Sequence, residues 1–163
     1  TSVGLMGAAA TVAGQNLGAG HPDRAERGVQ VAARYGVMIA AAVGILFVTI
    51  PDVLLGLFGL VDPIVVALGT QLLRFLSVSG FFITVALTYT GGLQGTGDTR
   101  SPLAITLVSQ IGIPLGLCFA LQAAGRLTPA GVWMAIVCGH FTRCVLSVAR
   151  FHQGRWKTIR VEH

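Results

Sequence analysis

The chain has 163 residues, of which 53% are hydrophobic and only 10% charged, with a net charge of +5 and a mean hydropathy of +0.77. Soluble domains carry about 25% charged residues, so this composition excludes a protein that covers itself with polar surface in water. The basic residues gather at 24–34 and 150–160, beside apolar runs; that placement assigns them to membrane head groups rather than to nucleic acid.

A membrane helix needs roughly 20 mostly apolar residues. Residues 1–19, rich in Gly, Ala and Val, read as the end of a helix. The chain opens on Thr1 without a signal-peptide pattern, so upstream sequence is expected to be missing. The first full helix is predicted at 28–50, where Pro51 stops the apolar run and Arg34 reaches back to the head groups. The next, 63–96, lies between Asp62 and Asp98 and is interrupted only by Arg74. Residues 101–124 carry no charge, 129–150 form the last span with Arg143 near its end, and 151–163 form a basic tail with Arg155, Lys157 and Arg160. The connectors alternate basic, non-basic, basic, nearly neutral and basic. By the positive-inside rule the C-terminus is cytoplasmic and residues 51–62 face outward. The expected fold class is therefore all-α: a polytopic helix bundle with four full membrane helices and the end of a fifth.

Two junctions carry start signals. Ser101 before Pro102, and Thr128 before Pro129, each suit an N-cap followed by proline at the first helical position. Gly91, Gly92, Gly95 and Gly97 permit either hinge motion or close helix packing. On the 63–96 helix, Thr70, Arg74, Ser77, Phe81, Thr84 and Thr88 recur at alternating spacings of four and three and form one stripe. That stripe reads as a cavity wall, with Phe81 offering its ring to an organic cation, or as a helix–helix seam. Thr106 and Gln110 stand one turn apart and Pro114 follows, able to kink the helix and shape a cavity or to serve packing alone. The substrate-cavity candidates are Ser77, Phe81, Thr84, Thr88 and Gln110.

No enzyme motif is present. Gly95–Thr96–Gly97 lacks the rest of a dinucleotide fingerprint, and Cys118, Cys138 and Cys144 have no metal-ligand spacing. No catalytic residue, metal site or cofactor is expected. His140 reads as a proton relay or an interhelical hydrogen bonder. All six carboxylates lie in connectors or the tail. A Na⁺ or H⁺ coupling site needs a carboxylate at membrane depth, so it is expected outside this chain.

Residues 8–20, AAATVAGQNLGAG, followed by HPDRAERG, and residues 91–102, GGLQGTGDTRSP, resemble the two signatures of the multidrug and toxin extrusion (MATE) family, and the basic tail RWKTIR fits as well. The resemblance covers essentially the whole chain. It implies a C-terminal piece of a twelve-helix, two-bundle transporter in the cell (inner or plasma) membrane. Residues 1–19 would end helix eight, and 28–50, 63–96, 101–124 and 129–150 would be helices nine to twelve. The signatures mark Gln15, Gly18, Gly95, Gly97, Asp98 and Arg100 as a structural or hinge motif. The implied activity is export of organic cations or drugs against Na⁺ or H⁺ by alternating access. The partners would be membrane lipid, the remaining half of the transporter and small organic or cationic substrates, and the fragment alone would be inactive. Some members carry a coupling acid in helix ten, where this chain has none. A lipid-linked oligosaccharide flippase is an alternative, although its cavity would tend to be more basic than one with Arg74 almost alone. A non-transporting membrane scaffold is another, against which the polar stripe argues.

Overall fold

The computed structural model describes residues 2–158, and the tail positions 159–163, including Arg160, lie outside the described residues. The fold is an all-α bundle with no strand among the described residues. In chain order it has α1 (Ser2–Gly18), α2 (Pro22–Thr49), α3 (Pro51–Leu57), α4 (Pro63–Gly95) and α5 (Arg100–Thr106). A π-helical segment (Leu107–Gly112) then leads into α6 (Ile113–Ala123), and α7 (Pro129–His152) is followed by a 3₁₀ turn at Arg155–Thr158. Among the described residues, four helices are long and apolar enough to cross a membrane: Pro22–Thr49, Pro63–Gly95, Arg100–Ala123 and Pro129–His152. Lipid offers backbone groups no partners, so spanning segments must satisfy them internally, as helices do.

α4 is the hub, packing against α1, α2 and α7. At 33 residues it is about 50 Å long, well beyond a hydrocarbon core of about 30 Å. Its start is well made. Asp62 accepts hydrogen bonds from the Ile64 and Val65 amides at 2.8 and 3.2 Å, ahead of Pro63 at the first helical position. α7 starts in the same way, with the Thr128 hydroxyl accepting from the Gly131 amide at 3.1 Å.

The α1–α4 seam is a backbone-on-backbone contact. A Cβ at Gly91 would strike the Met6 carbonyl, one at Gly95 would strike that of Ala10, and one at Gly14 would lie 2.7 Å from the Gly95 oxygen. Small residues four apart on α4 let the two helices meet this closely. At Gly92 a Cβ would lie 2.8 Å from Val29 of α2 and 3.0 Å from Phe151 of α7, so three helices converge there. The buried cluster surrounds this point: Ala9, Ala13, Ala25, Val29, Ala33, Tyr89, Leu93, Phe151 and Trp156. Trp156 stacks on Phe151 with centroids 4.9 Å apart and donates its indole N–H to the Phe151 carbonyl at 2.8 Å. Lys157 then pairs with Glu26 at 2.5 Å, and that hydrogen bond raises the Lys157 pKa.

Two local expectations, the start of α2 and the Ser101 cap, need correcting, and two further segments carry structure that hydropathy does not specify. α2 begins at Pro22 rather than 28, because the charged stretch is amphipathic: Ala25 and Val29 are buried one turn apart while Arg24 and Arg27 stay exposed. The connector 51–62 contains α3, whose Leu55 is buried against Gly69 of α4. Ser101 does not cap α5. The helix starts at Arg100, and the Ser101 amide instead donates to Asp98 Oδ1 at 3.1 Å, because a carboxylate three residues back is already placed to take that orphan donor. Finally, Pro114 is preceded by a π turn in which the Ile113 amide reaches the Val108 carbonyl. Proline has no N–H for the preceding turn, and the widened turn absorbs the mismatch.

Candidate functional site

The polar stripe of α4 divides on folding. Gly44 of α2 lies against Ser77, where a Cβ would be 3.4 Å from the Ser77 oxygen and 3.7 Å from the Phe81 ring. The α2–α4 contact at this point separates two openings. The larger, about 700 Å³, lies between α2 and α4 and is lined by Ala41, Ile45, Val48, Thr49, Ser77, Val78, Phe81 and Phe82. The smaller, about 200 Å³, lies among α1, α2 and α4 and includes Ser2, Leu5, Phe47, Ser77, Ser79 and Thr84. Ser77 borders both, Phe81 only the larger and Thr84 only the smaller.

The other candidates sit elsewhere. Thr88 is fully buried and donates to the Thr84 carbonyl at 2.8 Å. Both threonines face the α2 backbone, since a Cβ at Gly36 would lie 2.6 Å from Thr84 Cγ2 and 3.9 Å from Thr88 Oγ1. The Thr84 hydroxyl lies 3.0 Å from that of Ser2. Gln110 lies on the π segment and lines neither opening. The structure thus brings Ser77, Phe81 and Thr84 to one region and leaves Thr88 in a seam and Gln110 apart. Arg74 is exposed, one turn before Ser77, whose hydroxyl donates to the Arg74 carbonyl at 2.8 Å.

The larger cleft is mainly apolar and aromatic, with Ser77 and Thr49 as its polar groups. Thr49 is bound up locally, donating to the Ile45 carbonyl at 2.8 Å. Such a surface offers apolar contact to an organic group and a π face to a cation. Phe82 was not among the sequence candidates, yet it lines the cleft and meets Phe141 of α7 edge-on at 5.3 Å. The α2 wall was also missed, although its small residues at four-residue spacing, Gly36, Ala40 and Gly44, signal the face that meets α4.

The signature residues form a junction at the other end of α4. Gly97 takes φ +91° and turns the chain, a conformation that favours glycine. Asp98 then serves two elements. Its Oδ1 accepts from the Ser101 amide, and its Oδ2 accepts from Arg150 Nε and Nη2 of α7 at 3.0 and 2.9 Å. Burial works to lift the carboxyl pKa. The Ser101 hydroxyl and amide and the Arg150 guanidinium together outweigh it and hold Asp98 below the usual carboxylate range. The guanidinium beside Asp98 is therefore that of Arg150; Arg100 is exposed at the start of α5. In α1, Gln15 and Gly18 are exposed, and Gly20 carries the positive φ of the turn into α2.

The family model MatE matches residues 1–120. The chain is 33% identical over 150 residues to the multidrug resistance protein MdtK of Pectobacterium atrosepticum, covering 89% of this chain and 33% of that relative. It is 26% identical over 113 residues to a probable multidrug resistance protein NorM of Thermotoga maritima, covering 69% of this chain and 24% of the relative. To the probable NorM of Acinetobacter baylyi it is 29% identical over 107 residues, covering 58% of this chain and 23% of the relative. The chain thus spans a third or less of the length of these relatives. No solved structure matches it.

Proposed function

This chain belongs to the MatE family, and we propose on that footing that it is the C-terminal part of a longer multidrug exporter, a secondary active antiporter of organic cations or drugs against Na⁺ or H⁺ working by alternating access. In this reading α1 ends helix eight, and the four membrane spans are helices nine to twelve of a twelve-helix, two-bundle protein in the inner or plasma membrane. The C-terminus is cytoplasmic and residues 51–62 face outward. The observation that carries the reading is the match to the MatE family over residues 1–120, joined to relatives named for multidrug resistance.

The aromatic cleft between α2 and α4 supplies the chemistry for part of a drug site, with Phe81 and Ser77 on its wall. The coupling ion is held elsewhere, because Asp23, Asp52, Asp62 and Asp98 lie in connectors or helix ends and Glu26 pairs with Lys157. Asp98 is engaged by Ser101 and Arg150, which suits a tether better than a site that captures and releases a cation. A site at a repeat interface needs both halves, so the chain alone does not transport.

The test is drug efflux from proteoliposomes. The parent transporter should export several dyes under a Na⁺ or H⁺ gradient, and Phe81→Ala should change the order of preference among them. Vesicles holding only this chain should show no efflux. Efflux by the chain alone would overturn the requirement for both halves, and a preference order untouched by Phe81→Ala would sink the assignment of this cleft.

A further inference from the structure

A third opening, a groove between α2 and α7, lies near the basic end of the bundle. The two helices converge where Val29 and Phe151 both meet Gly92. One turn deeper they enclose a groove of about 640 Å³, with Val85 and Tyr89 of α4 at its floor. Its walls are apolar (Ala33, Val37, Met38 and Val148), and four polar groups stand among them: Gln30, Arg34, Tyr89 and His152.

Those groups have capacity to spare. The Tyr89 ring is buried and held edge-on against Phe151 at 5.2 Å, while its hydroxyl makes no hydrogen bond among the described residues. Arg34 is exposed and forms no ion pair among them. The His152 Nδ1 is hydrogen-bonded to the Val148 carbonyl at 2.9 Å, so Nε2 is left for a ligand. Gln30 turns its amide nitrogen to Glu26 at 3.5 Å, which leaves its oxygen. Glu26, the acid nearest this groove, is held by Lys157. The guanidinium therefore sets the sign of the mouth, with a phenol donor beside it and two acceptors.

We propose that this groove binds an anionic phospholipid of the adjoining leaflet, its phosphate against Arg34 and Tyr89 and an acyl chain along Val37, Met38 and Val85. Three features select a lipid over a small soluble anion. The walls are hydrocarbon, and Val37 and Met38 are themselves exposed on the side of a membrane-spanning helix. Arg34 lies twelve residues into α2, about 18 Å from its start, a depth from which its stem can follow the apolar wall while its head meets phosphate. Basic pockets between spans on the positively flanked side are where anionic head groups are held. The two acceptors further favour a head group with hydroxyl donors, such as phosphatidylglycerol, over choline, which has none.

The experiment reconstitutes the full chain in nanodiscs and measures lipid retained on it by native mass spectrometry. Phosphatidylglycerol is titrated into a phosphatidylcholine background. Arg34→Gln should weaken phosphatidylglycerol retention by about fivefold or more, the loss of one basic contact near the surface. Tyr89→Phe keeps the ring and its packing and should weaken it in the same direction. Arg27→Gln, an exposed arginine of α2 outside the groove, should leave it unchanged. Helical content by circular dichroism should match across the variants. Retention unaffected by Arg34→Gln, an equal effect of Arg27→Gln, equal retention of phosphatidylcholine, or displacement of the lipid by excess inorganic phosphate would each overturn the proposal.

Discussion

The α1–α4 seam predicts a large penalty for a very small change. A Cβ at Gly95 would lie 2.7 Å from both the carbonyl carbon and Cα of Ala10, and Gly91 meets Met6 in the same way. An optimal carbon contact is about 3.5–4.0 Å, so α1 has to retreat by about 1 Å. No side chain can swing aside, because the opposing atoms are backbone. The two sites are one turn apart on α4, so tilting α1 to relieve one does not relieve the other. Overpacking of this kind costs about 1–3 kcal/mol per site. Alanine also gains about 1 kcal/mol over glycine as a helix former, which masks part of the loss. A matched control removes that ambiguity: at Gly80 and Gly116 a Cβ meets nothing within 4 Å. Thermal melts of the purified chain in detergent, followed by far-UV circular dichroism, should place Gly91→Ala/Gly95→Ala below Gly80→Ala/Gly116→Ala by about 2–6 kcal/mol. That is at least about 4 °C for a chain of this size. Equal or higher melting of the seam variant would refute the close-contact reading, and the glycines would then be free for a hinge role.

Asp98→Asn keeps a capping side chain of similar quality but loses the charged bond to Arg150, worth about 1.5–3 kcal/mol, at the lower end because Arg150 is 24% exposed. Expression or overall rate should fall while the Na⁺ or H⁺ dependence proposed for the parent transporter stays, and loss of ion dependence with drug binding intact would place the coupling site here instead. Because the Asp98 pKa is lowered by folding, its stabilisation is fully present above the ordinary carboxylate pKa of about 3.9 and is lost as pH falls below it. Melting temperature should therefore drop more for the wild type than for Asp98→Asn between about pH 5 and pH 2; parallel curves would show that the ion pair contributes nothing. For topology, a membrane-impermeant thiol reagent added outside should label a cysteine at Leu57 and spare one at Thr158. The reverse pattern would invert the bundle.

Much of this protein is legible without coordinates, because lipid imposes one-dimensional rules. An apolar run of the right length must be a helix, so the four spans follow from hydropathy, and Thr128 and Pro129 mark one of their starts through local capping chemistry, whereas the same signal at Ser101 and Pro102 fails because Asp98 takes the Ser101 amide. The motifs at 8–20 and 91–102 likewise carry the family, which the MatE match over residues 1–120 shows. Hydropathy fails where a helix leaves the lipid: the first turns of α2 are charged outside and buried at Ala25 and Val29, a pattern visible only as amphipathicity. What periodicity leaves open is which neighbour a face meets. The stripe from Ser77 to Thr88 is continuous in sequence, yet Gly44 lets α2 close on Ser77 and Gly36 lets it close on Thr84, so one stripe becomes part cleft and part seam. Likewise Asp98 has Arg100 two residues away, but its charge partner is Arg150, 52 residues on. Helix periodicity is local, set by 3.6 residues per turn. Interhelical approach is set by small residues on two chain segments at once, and only the packed structure decides which of them meet.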